Sequence, residues 1–220
     1  MADRIELAGE VVRLEPLGLQ HVEPLARLAS AEREAFRWSV VPFDLTSTQA
    51  YVALALAEAG KGLSVPFATV LRSSGAVVGS TRFMAFERWP QAFAPPPGLE
   101  APIDAVEIGS TWLGAQARRS AVNTEAKRLM LAHAFETWAV RRVTLKTDAR
   151  NEASRRAIER LGARLDGVLR SHARASDGGP RDSAWYSILA SEWPAVRGRL
   201  DGFLQGLAAP TRPGGAARRR

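Results

Sequence analysis

Apolar and polar residues follow two different repeats along this chain, and the repeats predict its strands and helices. Residues 11–17 alternate apolar and polar side chains, which is typical of a strand with one buried face. Within residues 19–30, apolar side chains instead recur at the spacing of one helical face. Further strands are predicted at 65–71, 76–86, 105–113, 142–148, 164–173 and 182–189, and further helices at 47–59, 122–140, 152–161 and 191–207. Ser47 or Thr46 is expected to cap the second helix.

The order of these elements predicts a mixed α/β fold. The strands on either side of the 72–75 turn form an antiparallel hairpin. From residue 105 onward strands and helices alternate, which requires at least one parallel strand pair joined by a right-handed crossover. We therefore predict one domain over residues 1–206, built on a mixed sheet that is flanked by helices.

Composition excludes several kinds of chemistry. A chain of 220 residues with 46% apolar and 24% charged residues is typical of one globular domain with a sizeable core. The absence of cysteine excludes disulfides, thiolate metal sites and a cysteine nucleophile. The three histidines, His21, His133 and His172, are far apart and show no ligand spacing, so no metal site is predicted.

The net charge of +7 is unevenly distributed along the chain. Four of these charges are arginines of residues 207–220, a segment without acids that is predicted to be a disordered basic tail. The rest of the chain carries only +3, so we expect at most weak contacts with phosphates and no specific nucleic-acid partner.

Nothing in the chain is typical of a membrane segment. The longest apolar run, 51–57, is far shorter than the ~20 residues that span a bilayer. The first six residues include acids where a signal peptide would be basic and then apolar. A cytoplasmic location without membrane partners is therefore expected.

Two motifs in the second half carry the candidate chemistry. Residues 106–114 read VEIGSTWLG and are followed at 116–126 by QARRSAVNTEA, a strand, a basic loop and a helix start. Residues 151–163, NEASRRAIERLGA, place an asparagine near the start of a helix that ends in Leu-Gly. These motifs resemble the acetyl-CoA-binding segments of the GNAT N-acetyltransferase superfamily, nearest to its RimJ/RimL-like (ribosomal-protein N-acetyltransferase-like) branch. The resemblance runs over about 11–193 and is strongest over 105–163.

This resemblance implies a GNAT-type domain whose mostly antiparallel sheet is splayed at the CoA site. It implies an N-acetyltransferase that moves acetyl from acetyl-CoA, its cosubstrate, to an amine. The acceptor is a protein N-terminus or a small amine, and the protein is a monomer or a homodimer. A non-catalytic acyl-CoA-binding or sensing module is the alternative.

The loop before the helix at 122–140 is the candidate phosphate site. A helix N-terminus offers unpaired backbone N–H groups to a pyrophosphate, and Arg118 and Arg119 add positive charge. A capped helix with two solvated arginines is the competing interpretation. In the resembling family, small residues usually occupy the positions of Ala121 and Asn123. Asparagine is bulkier than these residues, but it is also a good N-cap. The predicted cofactor-binding residues are Trp112, Leu113, Arg118, Arg119, Ser120, Ala121, Val122, Asn123, Thr124, Asn151 and Ser154.

Acetyl transfer needs a base, a polarising donor and help for the leaving thiolate. The resemblance makes Glu107 the base; alternatively it is an exposed strand glutamate or the partner of an arginine. A backbone amide near residues 111–113 is the expected donor to the thioester oxygen. Ile158 occupies the position at which many family members carry a tyrosine acid, so Ser154 is the remaining candidate acid.

Aromatic and polar residues outside the two motifs are candidates for the acceptor site. Trp38, Trp89, His172 and Tyr186 are predicted to line it, with packing in the core as the competing interpretation. The proline-rich stretch 89–102 is longer than a connection needs, and we expect a loop that covers the acceptor.

Overall fold

The computed structural model describes residues 5–31, 33–90 and 102–208. The strands are β1 (Leu7–Ala8), β2 (Val12–Pro16), β3 (Ser64–Leu71), β4 (Val77–Glu87), β5 (Ala105–Leu113), β6 (Arg142–Asp148), β7 (Arg164–Arg174) and β8 (Pro180–Leu189). The helices are α1 (Val22–Ala31), α2 (Leu45–Gly60), α3 (Ala121–Ala132), α4 (Glu152–Leu161) and α5 (Trp193–Ala208). Among these residues, no helix is long and apolar enough to cross a membrane.

The eight strands form one mixed sheet in the order β1-β2-β3-β4-β5-β6-β8-β7. The described strand pairs are antiparallel except for β5 and β6, which are parallel and joined through α3. This confirms the predicted mixed sheet with a parallel pair. The parallel ladder is short, because it pairs 105–107 with 142–144 and goes no further. Beyond Glu107 the two central strands therefore diverge.

Each face of the sheet is covered by its own group of helices. One apolar cluster packs α3, α4 and α5 on the sheet and includes Phe67 and Leu113. The other packs α1 and α2 on the sheet and includes Ala68 and Trp112. Neighbouring residues of one strand belong to different clusters because successive side chains of a strand point to opposite faces. The strand periodicity thus builds a three-layer molecule with the sheet in the middle.

The prediction for the start of α2 was wrong. Asp44, not Ser47 or Thr46, is the N-cap, and its carboxylate accepts the Ser47 N–H at 2.7 Å. Ser47 Oγ in turn accepts the Asp44 N–H at 3.0 Å, which completes a capping box. Both ends of such a box are capping residue types, so the pattern indicates the box but not which end begins the helix.

The predicted helix at 122–140 was too long. Regular α-helix ends at Ala132, and residues His133–Thr137 form a wider π turn. Trp138 follows this turn and packs on Phe83 and His133, with ring centroids 4.6 Å away in each case. Packing of the aromatic residues thus accompanies the end of the regular helix, and local periodicity does not report it.

Two expectations fall on residues that are not described. The loop predicted at 89–102 lies mostly in 91–101, and the basic tail lies in 209–220. The proposed cover over the acceptor site and the predicted disorder of the tail therefore lie outside the described residues.

Candidate active site

A β-bulge opens the sheet next to the short parallel ladder. On β4, Thr81 alone lies opposite two residues of β5, Ser110 and Thr111. Ser110 has a φ of +48°, the left-handed conformation that one type of bulge places at one of its residues. Such a bulge bends its strand, and it lies where β5 has already parted from β6. The bulge and the parted strands together create a cleft in the middle of the sheet.

The cleft has a volume of about 300 Å³. Its walls come from both diverging strands, from α3 and α4, and from the loop before α2. Its lining residues are 38–41, 107–112, 145–148, Met84, Lys127, Ser154, Ile158 and Arg181. The two predicted motifs therefore meet in space at this cleft, although residues 127–150 separate them along the chain.

Glu107 lies in this cleft as one half of an ion pair. Its side chain is only 3% exposed, and its Oε2 is 2.8 Å from Lys146 Nζ on β6. Lys146 also lies over the ring of Trp185, with Nζ 5.0 Å from the centroid. Oε1 lies beside Gly109, where a Cβ would be only 2.7 Å away, so the glycine leaves room for the carboxylate. The competing interpretations for Glu107, exposure or pairing with an arginine, do not describe this geometry.

Lys127 is a second lysine in the cleft, and it is almost fully buried. Its Nζ donates to the hydroxyls of Thr81, at 3.0 Å, and Thr111. Burial lowers the pKa of Lys127 from 10.5 to about 7, because the charged form loses its hydration. Sequence reasoning missed both cleft lysines. Lys127 had a visible signal, because it interrupts the apolar stripe of α3 at a position one turn before Leu131.

The N-terminus of α3 is capped by Ser120, not by Asn123. Ser120 Oγ accepts the Val122 N–H at 3.2 Å and donates to the Ala117 carbonyl at 2.7 Å. Asn123 and Ala121 are instead part of the first helical turn. The left-handed residue of this loop is Arg119, with a φ of +58°. Ala121 and Asn123 therefore have helical backbone, and the left-handed conformation belongs to Arg119 before them.

The other predicted cofactor residues divide between the loop, the core and the cleft. Arg118 places its guanidinium 5.2 Å from the centre of the Phe36 ring. Leu113 belongs to the core, and the buried Thr124 accepts a hydrogen bond from Arg160 of α4 at 3.1 Å. Trp112 lines the cleft and is largely buried.

The second motif forms the opposite wall of the cleft. Asn151 is the N-cap of α4, and its Oδ1 accepts the Ser154 N–H at 3.0 Å. Ser154 and Ile158 lie one turn apart on α4, and both line the cleft. The Asn151 side-chain oxygen thus caps α4, while Ser154 remains available to a bound molecule.

Trp38 is the predicted acceptor residue that lies at the cleft. Its ring is held between two guanidinium groups, that of Arg37 at 4.4 Å and that of Arg150 at 4.1 Å. Arg150 is itself fixed by Asp148, at 2.8 Å, and by Asp177, at 3.0 Å. Hydrogen bonds from Arg150 lower the pKa of Asp148, which stays ionised at neutral pH.

The other three predicted acceptor residues lie away from the cleft lining. Tyr186 is fully buried, and its hydroxyl donates to Glu159 and accepts from Arg155, both at 3.0 Å. His172 lies on β7, where its Nδ1 is 3.1 Å from Ser183 Oγ. Trp89 is 43% exposed and lies just beyond the end of β4. We therefore do not retain Tyr186, His172 and Trp89 in the site.

Metal-ligand side chains do not cluster among the described residues of the cleft. Across the described ranges, no group of three or more histidine, aspartate, glutamate or cysteine side chains could hold a metal ion. The cleft instead presents two lysines and two carboxylates, three of which have charged partners within 2.8 Å.

Comparisons with known proteins bear on the same region. A family model described as the acetyltransferase (GNAT) domain matches residues 12–164. The structure of a GCN5-related N-acetyltransferase from Brucella melitensis is 30% identical with a TM-score of 0.77, covering 94% of this chain and 87% of that chain. A T. thermophilus protein assigned as an acetyltransferase is 36% identical with a TM-score of 0.73, covering 93% of this chain and 99% of that chain. Among proteins with curated descriptions, none matches the chain at a significant level.

A more distant structure shares the fold. RimJ of Mycobacterium smegmatis, solved in complex with CoA-disulfide, is 22% identical with a TM-score of 0.72, covering 92% of this chain and 94% of that chain. The family model covers more than half of the chain, and the Brucella protein aligns with nearly all of it. Together with the parted central strands, these matches show that the chain belongs to the GNAT acetyltransferase family.

Proposed function

We propose that this protein transfers the acetyl group of acetyl-CoA to a primary amine by direct attack of the amine on the thioester. The observation that carries the proposal is the ion pair between the buried Glu107 and the partly exposed Lys146, at the point where β5 and β6 part. A buried carboxylate beside an open strand edge can accept a proton from an amine that meets a bound thioester there.

The cleft suits the CoA chain in two respects. Past Glu107, the backbone of β5 has no ladder partner on β6, so its polar groups are available to the amides of an extended pantetheine arm. The indole Nε1 of Trp112 is buried in the same wall without a hydrogen-bond partner among the described residues. Both features are polar groups for which a bound molecule would supply partners.

The pyrophosphate is assigned to the start of α3. The first backbone N–H groups of a helix lack helical partners, and the helix dipole favours an anion there. Arg118 and Arg119 precede this end, and Ser120 caps it through Val122 N–H. Arg160 of α4 reaches the same helix one turn further on, at Thr124.

Glu107 is proposed to act as the base. Its Oε2 is held by Lys146, which leaves Oε1 to receive the amine proton directly or through a water molecule. The backbone N–H groups at the bulge, near Thr111, are the proposed donors to the thioester oxygen, because the bulge turns them out of the regular ladder with β4.

The acceptor is proposed to be a protein N-terminus or a small amine that enters past Trp38. This side of the cleft is bounded by residues 38–41 and by Arg181 at the β7–β8 end of the sheet. The ring of Trp38 is immobilised by two arginines, and its edge offers a rigid apolar contact to a peptide or an alkyl chain next to the reacting amine.

Calorimetric titration with acetyl-CoA, followed by release of CoA thiol against N-terminal peptides and small amines, tests the proposal. Binding together with turnover supports acetyl transfer, and the preferred amine identifies the acceptor class. Binding without turnover on any amine favours the non-catalytic acyl-CoA module. No binding would mean that Ala121 and Asn123 have removed the phosphate site.

Glu107→Gln tests the base separately. We expect kcat near neutral pH to fall at least about tenfold with the acetyl-CoA affinity unchanged, because the amide cannot accept the proton. Glu152→Gln, on the exposed side of α4, is the matched control and should keep the wild-type rate. A Glu107→Gln enzyme that works at the wild-type rate would exclude Glu107 as the base.

A further inference from the structure

Lys127 is a buried cation in the cleft that the proposed transfer does not yet use. The side chain leaves α3 and ends between Thr81 of β4 and Thr111 of β5, whose hydroxyl oxygens are themselves 2.7 Å apart. Its Nζ donates to these two hydroxyls, and no ion pair to Lys127 occurs among the described residues. A lysine that is only 4% exposed and faces neutral groups is destabilising in its charged form.

The choice of lysine at this position is itself informative. The chain contains 30 lysines and arginines, and only three of them are lysines: Lys61, Lys127 and Lys146. Two of these three line the same cleft. Arginine stays charged at any accessible pH, whereas a buried lysine can gain and lose a proton. Lysine is thus rare in this protein, and two of its three lysines lie where proton transfer is proposed.

The remaining charged groups of the cleft are already engaged. Glu107 and Lys146 pair with each other, and Asp148 pairs with Arg150. Arg181 donates to Ser183 Oγ and cannot release a proton.

The neighbours of Lys127 on its own helix are engaged as well. Glu125 accepts hydrogen bonds from the backbone of the β1–β2 region, and Arg128 pairs with Asp201 of α5. On β4, Arg82 pairs with Glu58. Lys127 and Arg181 line the described cleft without an ion pair, and of these two the lysine is the one that can release its proton.

Lys127 Nζ lies on the same wall of the cleft as Thr111. Thr111 belongs to the bulge at which the thioester oxygen is proposed to bind, and it lies in the cleft lining together with Lys127. The facing wall, formed by α4, presents Ser154 and Ile158. Isoleucine has no proton to give, and a serine hydroxyl is a far weaker acid than an ammonium group.

We propose that the Lys127 ammonium donates its proton to the CoA sulfur as the thioester is cleaved. The inference rests on the acetyl transfer proposed above. The acceptor nitrogen forms the new C–N bond, the C–S bond breaks, and its electron pair on sulfur takes the proton from Lys127 Nζ. Glu107 takes the proton that the acceptor nitrogen loses. Return of one proton from Glu107 to Lys127 through solvent restores both groups.

The acidities agree with this direction of transfer. Burial lowers the pKa of Lys127 to about 7, whereas an alkyl thiol has a pKa of about 8.5. Proton transfer from the lysine to the thiolate is therefore downhill. The same burial keeps a sizeable fraction of Lys127 protonated only up to about neutral pH, so donation should fail in alkaline solution.

Two replacements of Lys127 test the proposal in the full-length protein. Lys127→Met keeps the length of the chain without a proton, and Lys127→Gln keeps a donor to the threonines that cannot transfer a proton. We expect both to lower kcat at least about tenfold at pH 7, with acetyl-CoA affinity within about twofold of wild type. Lys61→Met, at an exposed position, is the control and should behave as wild type.

The pH profile and the leaving group separate a proton donor from a structural lysine. The wild-type kcat at saturating acceptor should decline on the alkaline side of the Lys127 pKa, and the decline should be absent from both variants. An acetyl thioester of a more acidic thiol should restore the variants more than it speeds the wild type, because that thiolate leaves without a proton.

Unchanged kcat and an unchanged alkaline decline in Lys127→Met would overturn the proposal. So would equal responses of variant and wild type to the acidic thiol, or a stable acetyl group on Lys127 found by mass spectrometry. If the wild type binds acetyl-CoA but acetylates no amine, the proposed function fails together with this inference. If the wild type turns over and the variants match it, only the role of Lys127 fails.

Discussion

Glu125 and Lys127 are two buried charges that lie two residues apart on α3, and they have opposite surroundings. Each helical residue advances by about 100°, so the two side chains leave α3 on opposite sides. The Glu125 carboxylate accepts three backbone N–H groups, those of Glu10 at 2.9 Å and of Val11 and Val12 at 2.7 Å. Lys127 has two threonine hydroxyls and no opposite charge among the described residues.

The difference separates a structural charge from a functional one. The bonds to Glu125 replace its lost water and fasten the β1–β2 region to α3, and Gly9 is needed because a Cβ there would lie 2.3 Å from the carboxyl carbon. Lys127 bonds only to two threonine side chains among the described residues and loses its hydration, so its charged form destabilises the folded state. Destabilised groups of this kind are typical of active sites, where a perturbed pKa serves the reaction.

Removing the charge of Glu125 should give the largest loss of stability. In Glu125→Gln an amide NH₂ must face a backbone N–H that the carboxylate now accepts, which leaves a buried donor without a partner. We expect the free energy of unfolding to fall by about 3 kcal/mol. Urea denaturation measures it, with the exposed Glu23→Gln as the control. A loss no greater than that of the control would mean that Glu125 does not hold the β1–β2 region.

Removing the charge of Lys127 should act in the opposite direction. Lys127→Met fills the same space with an apolar chain, and the two threonine hydroxyls still bond to each other. We expect the free energy of unfolding at pH 7 to rise by about 2 kcal/mol, because the desolvation penalty disappears. A rise in stability with a fall in kcat would be the combined signature of a functional charge. A fall in stability would place Lys127 with Glu125 as a structural residue.

How far the sequence leads depends on whether a feature is local. The bounds of β5, β6 and α4 were predicted to the residue, because strand alternation, helical spacing and the terminal Gly162 are encoded in a few neighbouring positions. The meeting of the two motifs at one cleft also followed from local patterns together with the resemblance.

Features that depend on strand register or on tertiary packing could not be predicted from local sequence patterns. The Glu107–Lys146 pair depends on which residues of β5 and β6 lie side by side after a long crossover. Tyr186 belongs to the core because β8 lies inside the sheet, between β6 and β7. Its own segment shows only an aromatic residue, which suits a core or a binding site equally well.

The stability of the wild type should depend on pH through Lys127. The pKa of this lysine is about 7 in the folded protein and 10.5 in the unfolded chain, so between these values the unfolded chain binds more protons. Stability contributed by the group is therefore gained as pH rises from about 7 towards 10.5, at up to about 1.4 kcal/mol per pH unit. The advantage of Lys127→Met over wild type should shrink from about pH 7 to about pH 9.5 in urea denaturation. A constant difference would mean that Lys127 titrates normally.

The smallest effect is expected from removing one hydrogen-bond partner of Lys127 while the lysine itself is kept. Thr111→Val removes one of its two hydroxyl partners without changing the shape of the side chain, and Thr111→Ser keeps the hydroxyl as the control. Because a hydroxyl oxygen stabilises the ammonium form, its loss should lower the pKa of Lys127 further and move the alkaline decline of kcat to lower pH. Stability should change by less than about 1 kcal/mol, since Thr111 lies at the open side of the cleft and water can replace its hydroxyl.

The pH profile of Glu125→Gln completes the comparison of the two buried charges. Glu125→Gln should leave the alkaline decline of kcat at the wild-type pH, because the side chain of Glu125 points to the other side of α3. A profile that moves in Glu125→Gln and not in Thr111→Val would reverse the roles of the two buried charges.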